Sequence, residues 1–357
     1  MTINPSRSAS LDPGFLGRLP ASANGYPQKI DLVRELILCV ELDEAAYRAA
    51  SFLDDRILGP ATRGSWFPTA KILDASLTLP RSLPLHFIFH TGHVGSTLVS
   101  RLLDETGRVL SLREPLPLRT LAASLDELSG VSSLLSPAKF DAMLDMFLRL
   151  WSRGYPNTEQ VVVKATSSAG SLAVLLLRRR PLSRAIYLNV GAETYLATLL
   201  AGANSSQDLR GHGPARISRL RARTTADLTP LYAMSPGEMA AMSWLVETLS
   251  QSTALTELPL QVLAVDFDLL LSDIPATLDR ILRHFNLPPD PTWLASIGRS
   301  GVLSRYSKAP EVAFTPSVRR EVLNDARRQH ADEIRRGLAW LEALARSDAG
   351  IARVVGS

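Results

Sequence analysis

Short apolar runs that alternate with helical segments are the feature that most constrains the fold of this chain. The runs are "LHFIF" (85–89), "VLSL" (109–112), "QVVVKA" (160–165), "RAIYLNV" (184–190) and "QVLAVDF" (261–267). Between them, apolar residues recur at helical spacing, as at Leu144, Phe147, Leu148 and Trp151. Strands that are apolar on both faces and alternate with helices are typical of a parallel sheet covered on both sides. The sequence therefore predicts a doubly wound α/β domain with about five parallel strands and helices on both faces.

The flanking regions predict added helices at both ends of this core. Residues 1 to about 30 are rich in Ser, Pro and Gly and predict a loosely ordered lead-in, and the pattern from Asp43 to Leu58 predicts a short helix. The amphipathic stretch 315–347, with Pro316 in its first turn, predicts one or two C-terminal helices. We divide the chain into an N-terminal segment (1–80), an α/β core (81–290) and a C-terminal helical segment packed on the core (291–357). Within the core, the polar and basic stretch 202–229 predicts a surface loop or lid.

Composition favours a globular protein with an anionic ligand. Hydrophobic residues make up 46% and charged residues 21% of the 357 positions, and only five of the 39 basic residues are lysines. The guanidinium group of arginine can donate two hydrogen bonds at once to a phosphate or sulfate. A net charge of +4 is too small to require a nucleic acid as the binding partner. The only cysteine, Cys39, excludes an internal disulfide and a multi-cysteine zinc site. The longest apolar run, "LAVLLL" (172–177), is too short to span a membrane, so we predict a cytoplasmic protein.

The segment "HTGHVGST" (90–97) predicts an anion-binding turn between a strand and a helix. Gly92 and Gly95 let the backbone approach a ligand, and the hydroxyls of Ser96 and Thr97 lie where the helix dipole is positive. A Walker loop has four residues between its glycines and then a lysine, whereas this loop has two residues and then Ser96. An ordinary kinase or ATPase is therefore disfavoured. The alternative interpretation is a tight turn, capped by Ser96, whose glycines serve packing alone.

In the order of its motifs, the chain resembles the sulfotransferases that use 3'-phosphoadenosine 5'-phosphosulfate (PAPS). Their loop of a basic residue, Gly and two Ser/Thr falls on His93, Gly95, Ser96 and Thr97. Bacterial members also show Glu-Pro after one strand, Lys-Thr-Pro after another, a strand of the type "fPdArfI", and an acidic strand end before a helix. These motifs match Glu114-Pro115, Lys164-Ala165-Thr166, "RPLSRAIYL" (180–188) and "VDFDLLLSDIPATLDRILRHFNLP" (265–288).

The resemblance implies a P-loop-type fold and transfer of a sulfuryl group from PAPS to a hydroxyl or amine of a small molecule or glycan, with no metal. It places the 5'-phosphosulfate on the loop, at Gly92, His93, Val94, Gly95, Ser96 and Thr97. Asn189 stands where the family has the arginine that holds the 3'-phosphate, and Thr194 and Thr198 lie near the position of the family's serine. The arginines at 210, 216, 219, 221 and 223 are a second source of charge for that phosphate.

Three residues are candidates for catalysis: Glu114, His93 and Lys164. The resemblance makes Glu114 the general base, and its alternative role is an ion pair with Arg113 or Arg119. His93 is a rival base, because histidine has an ordinary pKa of about 6.5. Lys164 ends an apolar strand at the rim where ligands bind in α/β sheets, and the alternative is a lysine on the surface.

Two other functions fit the same residues. One is a Mg²⁺-dependent phosphotransferase in which Lys164 replaces the loop lysine and Asp266 serves the metal. The other is a noncatalytic module that binds a nucleotide or another anion. We interpret Asp266 and Asp268 as structural and Trp151 and Trp244 as core residues. Nucleic acid and membrane partners are not favoured, and the sequence predicts no oligomeric state.

Overall fold

Strands and helices alternate along most of the chain in the computed structural model, which describes residues 11–12, 14–202 and 205–356. The strands are β1 (Gly25–Asp31), β2 (Leu36–Glu41), β3 (Gly64–Pro68), β4 (Leu85–His90), β5 (Val109–Arg113), β6 (Gln160–Lys164), β7 (Ala185–Asn189), β8 (Val262–Asp266), β9 (Arg305–Tyr306) and β10 (Ala309–Ala313). The first helices are α1 (Phe15–Arg18), α2 (Glu44–Ala49), α3 (Thr69–Leu77), α4 (Ser96–Asp104), α5 (Leu116–Glu127), α6 (Pro137–Trp151), α7 (Ala173–Arg179) and α8 (Ala192–Leu200). They are followed by α9 (Ser205–Arg221), α10 (Pro236–Glu257), α11 (Phe267–Ser272), α12 (Ile274–His284), α13 (Pro291–Ser296), α14 (Pro316–Gln329), α15 (Ala331–Ser347) and α16 (Ala349–Val355).

The central sheet has five strands in the order β5-β6-β4-β7-β8. The pairs β5–β6 and β4–β6 are parallel, and helices flank the sheet. The predicted α/β fold with about five parallel strands is therefore confirmed. Each predicted apolar run coincides with one of these strands, and its ends differ from those of the strand by one residue or less.

The carboxyl ends of three strands meet at one edge of this sheet. Lys164 of β6 lies opposite Arg113 of β5 on one side and Ile88 of β4 on the other. All residues of β4, β5 and β6 are buried, which explains why these runs are apolar without alternation. Polar groups that follow these strands are therefore presented at the edge where α/β proteins bind ligands.

The chain packs as two compact units. The first comprises the described residues of Met1–Ile88 together with Thr97–Leu172 and Leu176–Ala185. It contains a second, antiparallel sheet in the order β1-β2-β3, which the sequence analysis did not predict. The buried guanidinium of Arg153 donates to the carbonyls of Leu19, Ser22 and Gly25, and it fastens the residues before β1 to the end of α6. The predicted lead-in of residues 1 to about 30 is therefore ordered from Phe15 onward, while residues 1–10 and 13 lie outside the described ranges.

The helix observed in the region from Asp43 to Leu58 is shorter than the sequence pattern predicts. Asp43 caps α2 by accepting from the Ala46 N–H, and the helix ends at Ala49 because Ala50 is extended. The N–H of Leu53 then donates to the carbonyl of Arg113 at 2.7 Å, so the backbone here joins strand β5 instead of a helix. Tertiary pairing overrides the helical spacing at this point.

The second unit comprises the described residues of Phe89–Ser96, Ala173–Leu175 and Ile186–Ser357. In it, α10 and α15 cross closely at two glycines, since a Cβ on Gly237 would lie 1.8 Å from the Glu333 carbonyl oxygen. The predicted C-terminal helices are confirmed: Thr315 caps α14, with Pro316 in its first turn, and α15 follows. Among the described residues, we find no helix with the length and apolar character needed to cross a bilayer.

The prediction of a loop or lid at 202–229 is wrong for most of that stretch, because Ser205–Arg221 forms the 17-residue helix α9. Its anchors are the buried side chains of Leu209 and Leu220. Gly213 fits against Leu231, whose methyl carbons would lie 3.0 Å from a Cβ at that position. Packing therefore stabilises a helix whose glycines and internal Pro214 disfavour it. Residues 203 and 204 of the predicted lid lie outside the described ranges.

Candidate functional site

The loop between β4 and α4 has a backbone conformation that favours glycine. Gly92, His93 and Gly95 have φ angles of 105°, 55° and 68°. Two of the three are glycines, whereas His93 adopts the left-handed region with a full side chain. A non-glycine residue in this region costs on the order of 1–3 kcal/mol and is commonly found at functional sites. The strain at His93 marks this turn as a candidate site.

A protein side chain, Phe267, packs directly against Gly95. A Cβ at Gly95 would lie 2.0 Å from Cε2 of the Phe267 ring, so no other residue fits without rearrangement. The guanidinium carbon of Arg319 lies 5.0 Å from the centroid of this ring, and Arg319 also pairs with Asp268 at 2.7 Å. The interpretation that the glycine serves tight packing therefore applies at Gly95.

The hydroxyls at the start of α4 are buried. Ser96 and Thr97 are 4% and 1% exposed, and Oγ1 of Thr97 has no hydrogen-bond partner among the described residues. A buried polar atom that lacks a partner costs about 1–3 kcal/mol. The first N–H groups of a helix also have no partner within that helix. This turn therefore combines a positive helix end with polar donors, which fits an anionic group such as phosphate or sulfate.

His93 is exposed, and it lies edge-on to Tyr195, with ring centroids 6.5 Å apart. The Tyr195 hydroxyl lies 2.9 Å from Oγ of Ser243, and burial raises the pKa of Tyr195 to about 12. Tyr195 is therefore a neutral phenol at physiological pH. It supports the imidazole of His93 without supplying a charge.

Glu114 and Lys164 form an ion pair in the first unit. The side chain of Lys164 has no exposed surface, while that of Glu114 is 22% exposed. Their backbones are also joined, because the N–H of Glu114 donates to the carbonyl of Lys164 at 2.7 Å. Glu114 has a φ of 53°, a second non-glycine residue in the left-handed region. The interpretation of Lys164 as a surface lysine is wrong, because its side chain is fully buried.

Arg113 lies beside this pair in sequence but has different partners. Its guanidinium pairs with Asp104, donates to Oγ of Ser100 at 2.9 Å and donates to the Ala50 carbonyl at 2.8 Å. Burial lowers the pKa of Arg113 and raises the pKa of Asp104. The alternative role of Glu114 as an ion-pair partner of Arg113 is therefore wrong, since the Arg113 guanidinium binds Asp104, Ser100 and Ala50.

The residues predicted to hold a 3'-phosphate lie at the end of β7 and in α8. Oδ1 of Asn189 is buried and has no hydrogen-bond partner in the described ranges. The hydroxyl of Thr198 donates to the Thr194 carbonyl at 2.7 Å within its own helix. Arg327 of α14 lies beside the first turn of α8, 3.4 Å from Oγ1 of Thr194 and 3.0 Å from the Glu193 carboxylate. The sequence analysis missed Arg327, because no motif connects positions so far apart in the chain.

Three of the five arginines that the sequence offers as a second source of charge contact protein groups. Arg216 pairs with Asp208 within α9 at 3.1 Å, and Arg219 lies 4.0 Å from Glu247 of α10. Arg223, two residues after α9, donates to Oγ of Ser250 at 2.9 Å. The contacts of Arg219 and Arg223 connect this part of the chain to α10.

Several of the solved structures that match this chain are sulfotransferases. One is the sulfotransferase domain from the curacin biosynthetic pathway, with 14% identity and a TM-score of 0.41, over 77% of this chain and 97% of that one. Mouse sulfotransferase SULT7A1 complexed with PAP matches at 11% identity and a TM-score of 0.42, over 81% and 95%. Sulfotransferase STF9 from Mycobacterium avium matches at 13% identity and a TM-score of 0.39, over 93% and 98%. No family model matches the chain, and no curated protein matches it in sequence.

The acidic residues after β8 are structural, as predicted. Asp266 caps α11 by accepting from the Leu269 N–H at 2.8 Å, and Asp268 pairs with Arg319. Trp244 is a core residue, as predicted, because its indole N–H donates to the buried carbonyl of Val190 at 2.9 Å. In the part of the chain that the structure describes, no three His, Cys, Asp or Glu side chains cluster in a way that suits a metal ion.

Proposed function

We propose that this protein transfers a sulfuryl group from PAPS to a hydroxyl or amine of a small molecule or glycan. The observation that carries the proposal is the buried pair of Lys164 and Glu114 at the carboxyl ends of neighbouring parallel strands. It supplies a partly exposed carboxylate beside a positive charge that is shielded from water. A general base and a fixed positive charge are the groups that sulfuryl transfer requires of a protein.

The loop is assigned to the 5'-phosphosulfate. The backbone from Gly92 to Thr97 and the side chains of His93, Ser96 and Thr97 would donate hydrogen bonds to its oxygens. The buried hydroxyl of Thr97, which has no partner among the described residues, supports this assignment. His93 adds one donor and, when protonated, a positive charge.

Glu114 is assigned as the general base and Lys164 as the cation beside it. Glu114 takes the proton of the acceptor hydroxyl or amine while the acceptor atom forms a bond to sulfur. The bond from sulfur to the phosphate oxygen breaks, and 3'-phosphoadenosine 5'-phosphate (PAP) leaves with its electron pair. The charge of Lys164 stabilises the negative charge that develops during transfer. No metal takes part in this proposal.

Arg327 is assigned to the 3'-phosphate, together with Asn189 and Thr198. Asn189 brings no charge, and the Thr198 hydroxyl already donates within its helix. Arg327 supplies a guanidinium at Thr194, at the start of the same helix.

The cytoplasmic location stays a prediction, which rests on the single cysteine.

The testing experiment is a calorimetric and thermal-shift titration of the protein with PAP, AMP, ADP and ATP, each with and without Mg²⁺. A ligand that binds only the native state raises the melting temperature by mass action, so a weak site is still detected. Selective binding of PAP without metal is the expected result, and Arg327→Gln should weaken it. A preference for ATP that depends on Mg²⁺ would favour the phosphotransferase, and binding of none of the four would refute the proposal.

Glu114→Gln tests the chemistry separately from binding. Glutamine keeps the shape of the side chain but cannot accept the proton, so PAP should bind as before while transfer is lost. Binding of PAP without transfer in the parent protein, over a panel of phenols, amines and sugars, would favour the noncatalytic module.

A further inference from the structure

The ring of Phe52 lies over the buried lysine of the candidate site. The Nζ atom of Lys164 is 5.6 Å from the centroid of this ring, a distance at which an ammonium is attracted to an aromatic face. The guanidinium of Arg56 stacks on the same ring at 3.5 Å. Phe52 comes from the segment between α2 and the turn at Asp55–Ile57, far in sequence from β5 and β6.

The segment that carries Phe52 is fastened to strand β5 on both sides of the ring. On one side, Arg113 donates to the Ala50 carbonyl at 2.8 Å, and Arg101 donates to Oγ of Ser51 at 2.8 Å. On the other side, the N–H of Leu53 donates to the Arg113 carbonyl at 2.7 Å. These contacts hold the backbone at positions 50 and 53 and the side chain of Ser51, so Phe52 has little freedom to leave Lys164.

We infer that Phe52 is a positioning residue that closes the Lys164–Glu114 pair against water. Lys164 has no exposed surface, although it ends a strand at the edge where ligands collect. An aromatic ring above the ammonium excludes water from it without competing for its hydrogen bonds. Charges interact more strongly where water is excluded, so the ring holds the ammonium against the Glu114 carboxylate. The contribution to catalysis rests on the proposed function, whereas the covering of Lys164 does not.

Amine acylation read by mass spectrometry tests this inference without any acceptor. The chain has only five lysines, at 29, 71, 139, 164 and 308, so each can be followed separately. In the parent protein we expect Lys164 to react far more slowly than Lys29 and Lys139, whose side chains are 41% and 59% exposed. In Phe52→Ala, Lys164 should react at least about tenfold faster than in the parent, while the other lysines keep their rates.

Two variants and one internal probe distinguish the loss of the cover over Lys164 from a general loosening of the first unit. Phe52→Leu keeps an apolar cover and should leave Lys164 slow. Phe67→Ala removes a ring of the same unit that stacks on Phe15 at 5.5 Å, and it should also leave Lys164 slow. Cys39 is fully buried in this unit, so its reaction with a thiol reagent reports whether the unit has opened.

An unchanged rate at Lys164 in Phe52→Ala overturns the inference. So does a rise at Lys164 that comes with a rise at Cys39, because the ring would then serve general packing. The lysine acylation does not test the proposed function, which is tested separately by the binding of PAP to the parent protein. If the parent protein binds PAP, Phe52→Ala should bind PAP with the affinity of the parent.

Discussion

Replacement of Arg113 by methionine is predicted to destabilise the protein strongly. Methionine keeps most of the apolar stem but removes the guanidinium, which pairs with Asp104 and donates to Ser100 and Ala50. Asp104 is only 8% exposed and would keep one hydrogen bond, from the Ser111 N–H at 2.8 Å, and a longer ionic contact with Arg48 at 4.0 Å. Removal of one partner from a buried ion pair costs about 3–5 kcal/mol, because the other charge stays buried without its partner. We expect a loss of about 3 kcal/mol or more in the free energy of unfolding.

Urea denaturation measures this loss, with Arg108→Met as the matched control. Arg108 pairs with Glu159 at 2.6 Å, and the two side chains are 37% and 51% exposed. Exposed pairs contribute about 0–1 kcal/mol, so the control should stay close to the parent. Addition of Asp104→Asn to Arg113→Met removes the unpaired charge and should restore part of the loss.

The pH dependence gives a second test of the same reasoning. Burial already raises the pKa of Asp104, and the loss of Arg113 raises it further. With its pKa in the folded state above the unfolded value, Asp104 disfavours folding when it is charged and stops doing so when it is protonated. The difference in unfolding free energy between the parent protein and Arg113→Met should therefore be largest at neutral pH. It should decrease as the pH falls through the pKa of Asp104. A difference below about 1 kcal/mol at neutral pH, or one that grows on acidification, would refute the argument.

Three further predictions concern the loop and the core. His93→Gly should stabilise the protein by about 1 kcal/mol, because glycine adopts the φ of 55° without strain; a lower thermal midpoint would contradict this. Gly95→Ala should cost on the order of 3 kcal/mol in urea, through its φ and its clash with Phe267. Gly107→Ala is its control, since Gly107 has a φ of 70° with no atom within 4 Å of a Cβ, and equal losses would exclude the clash. Cys39, whose pKa burial raises to about 12, should react with a thiol reagent at mildly alkaline pH only after unfolding, and fast reaction of the native protein would contradict its burial.

The central sheet was predictable from sequence because its strands are buried on both faces. Strands such as β4 and β6 are buried at every position and are therefore mostly apolar, and this leaves runs that stand out from their surroundings. The N-terminal sheet was not predicted, because its signals are weaker. Strand β1 contains Pro27 and an irregular register between Pro27 and Lys29, and β3 is only partly buried. Pairing with β2 stabilises strands whose own patterns are indistinct.

The sequence indicates which residues are candidates for the site, but it does not indicate their contacts. The glycine turn and the two strand ends indicated His93, Glu114 and Lys164, because these features are local in sequence. Lys164 lies under the ring of Phe52, and Gly95 packs against Phe267, and the residues of each pair are more than 100 positions apart in the sequence. Contacts between distant segments leave no periodic signal, so only a structure reveals them.

The attachment of the N-terminal residues to strand β5 limits how the protein can be shortened. Strand β5 is an outer strand of the central sheet, and the N–H of Leu53 bonds to it at Arg113. A fragment that begins at residue 81, where the sequence places the start of the core, would strip this edge and leave the guanidinium of Arg113 without its carbonyl acceptors. Bare apolar strand edges pair with other chains and aggregate. A shortened chain that keeps strand β5 covered would therefore have to retain the residues from β1 onward.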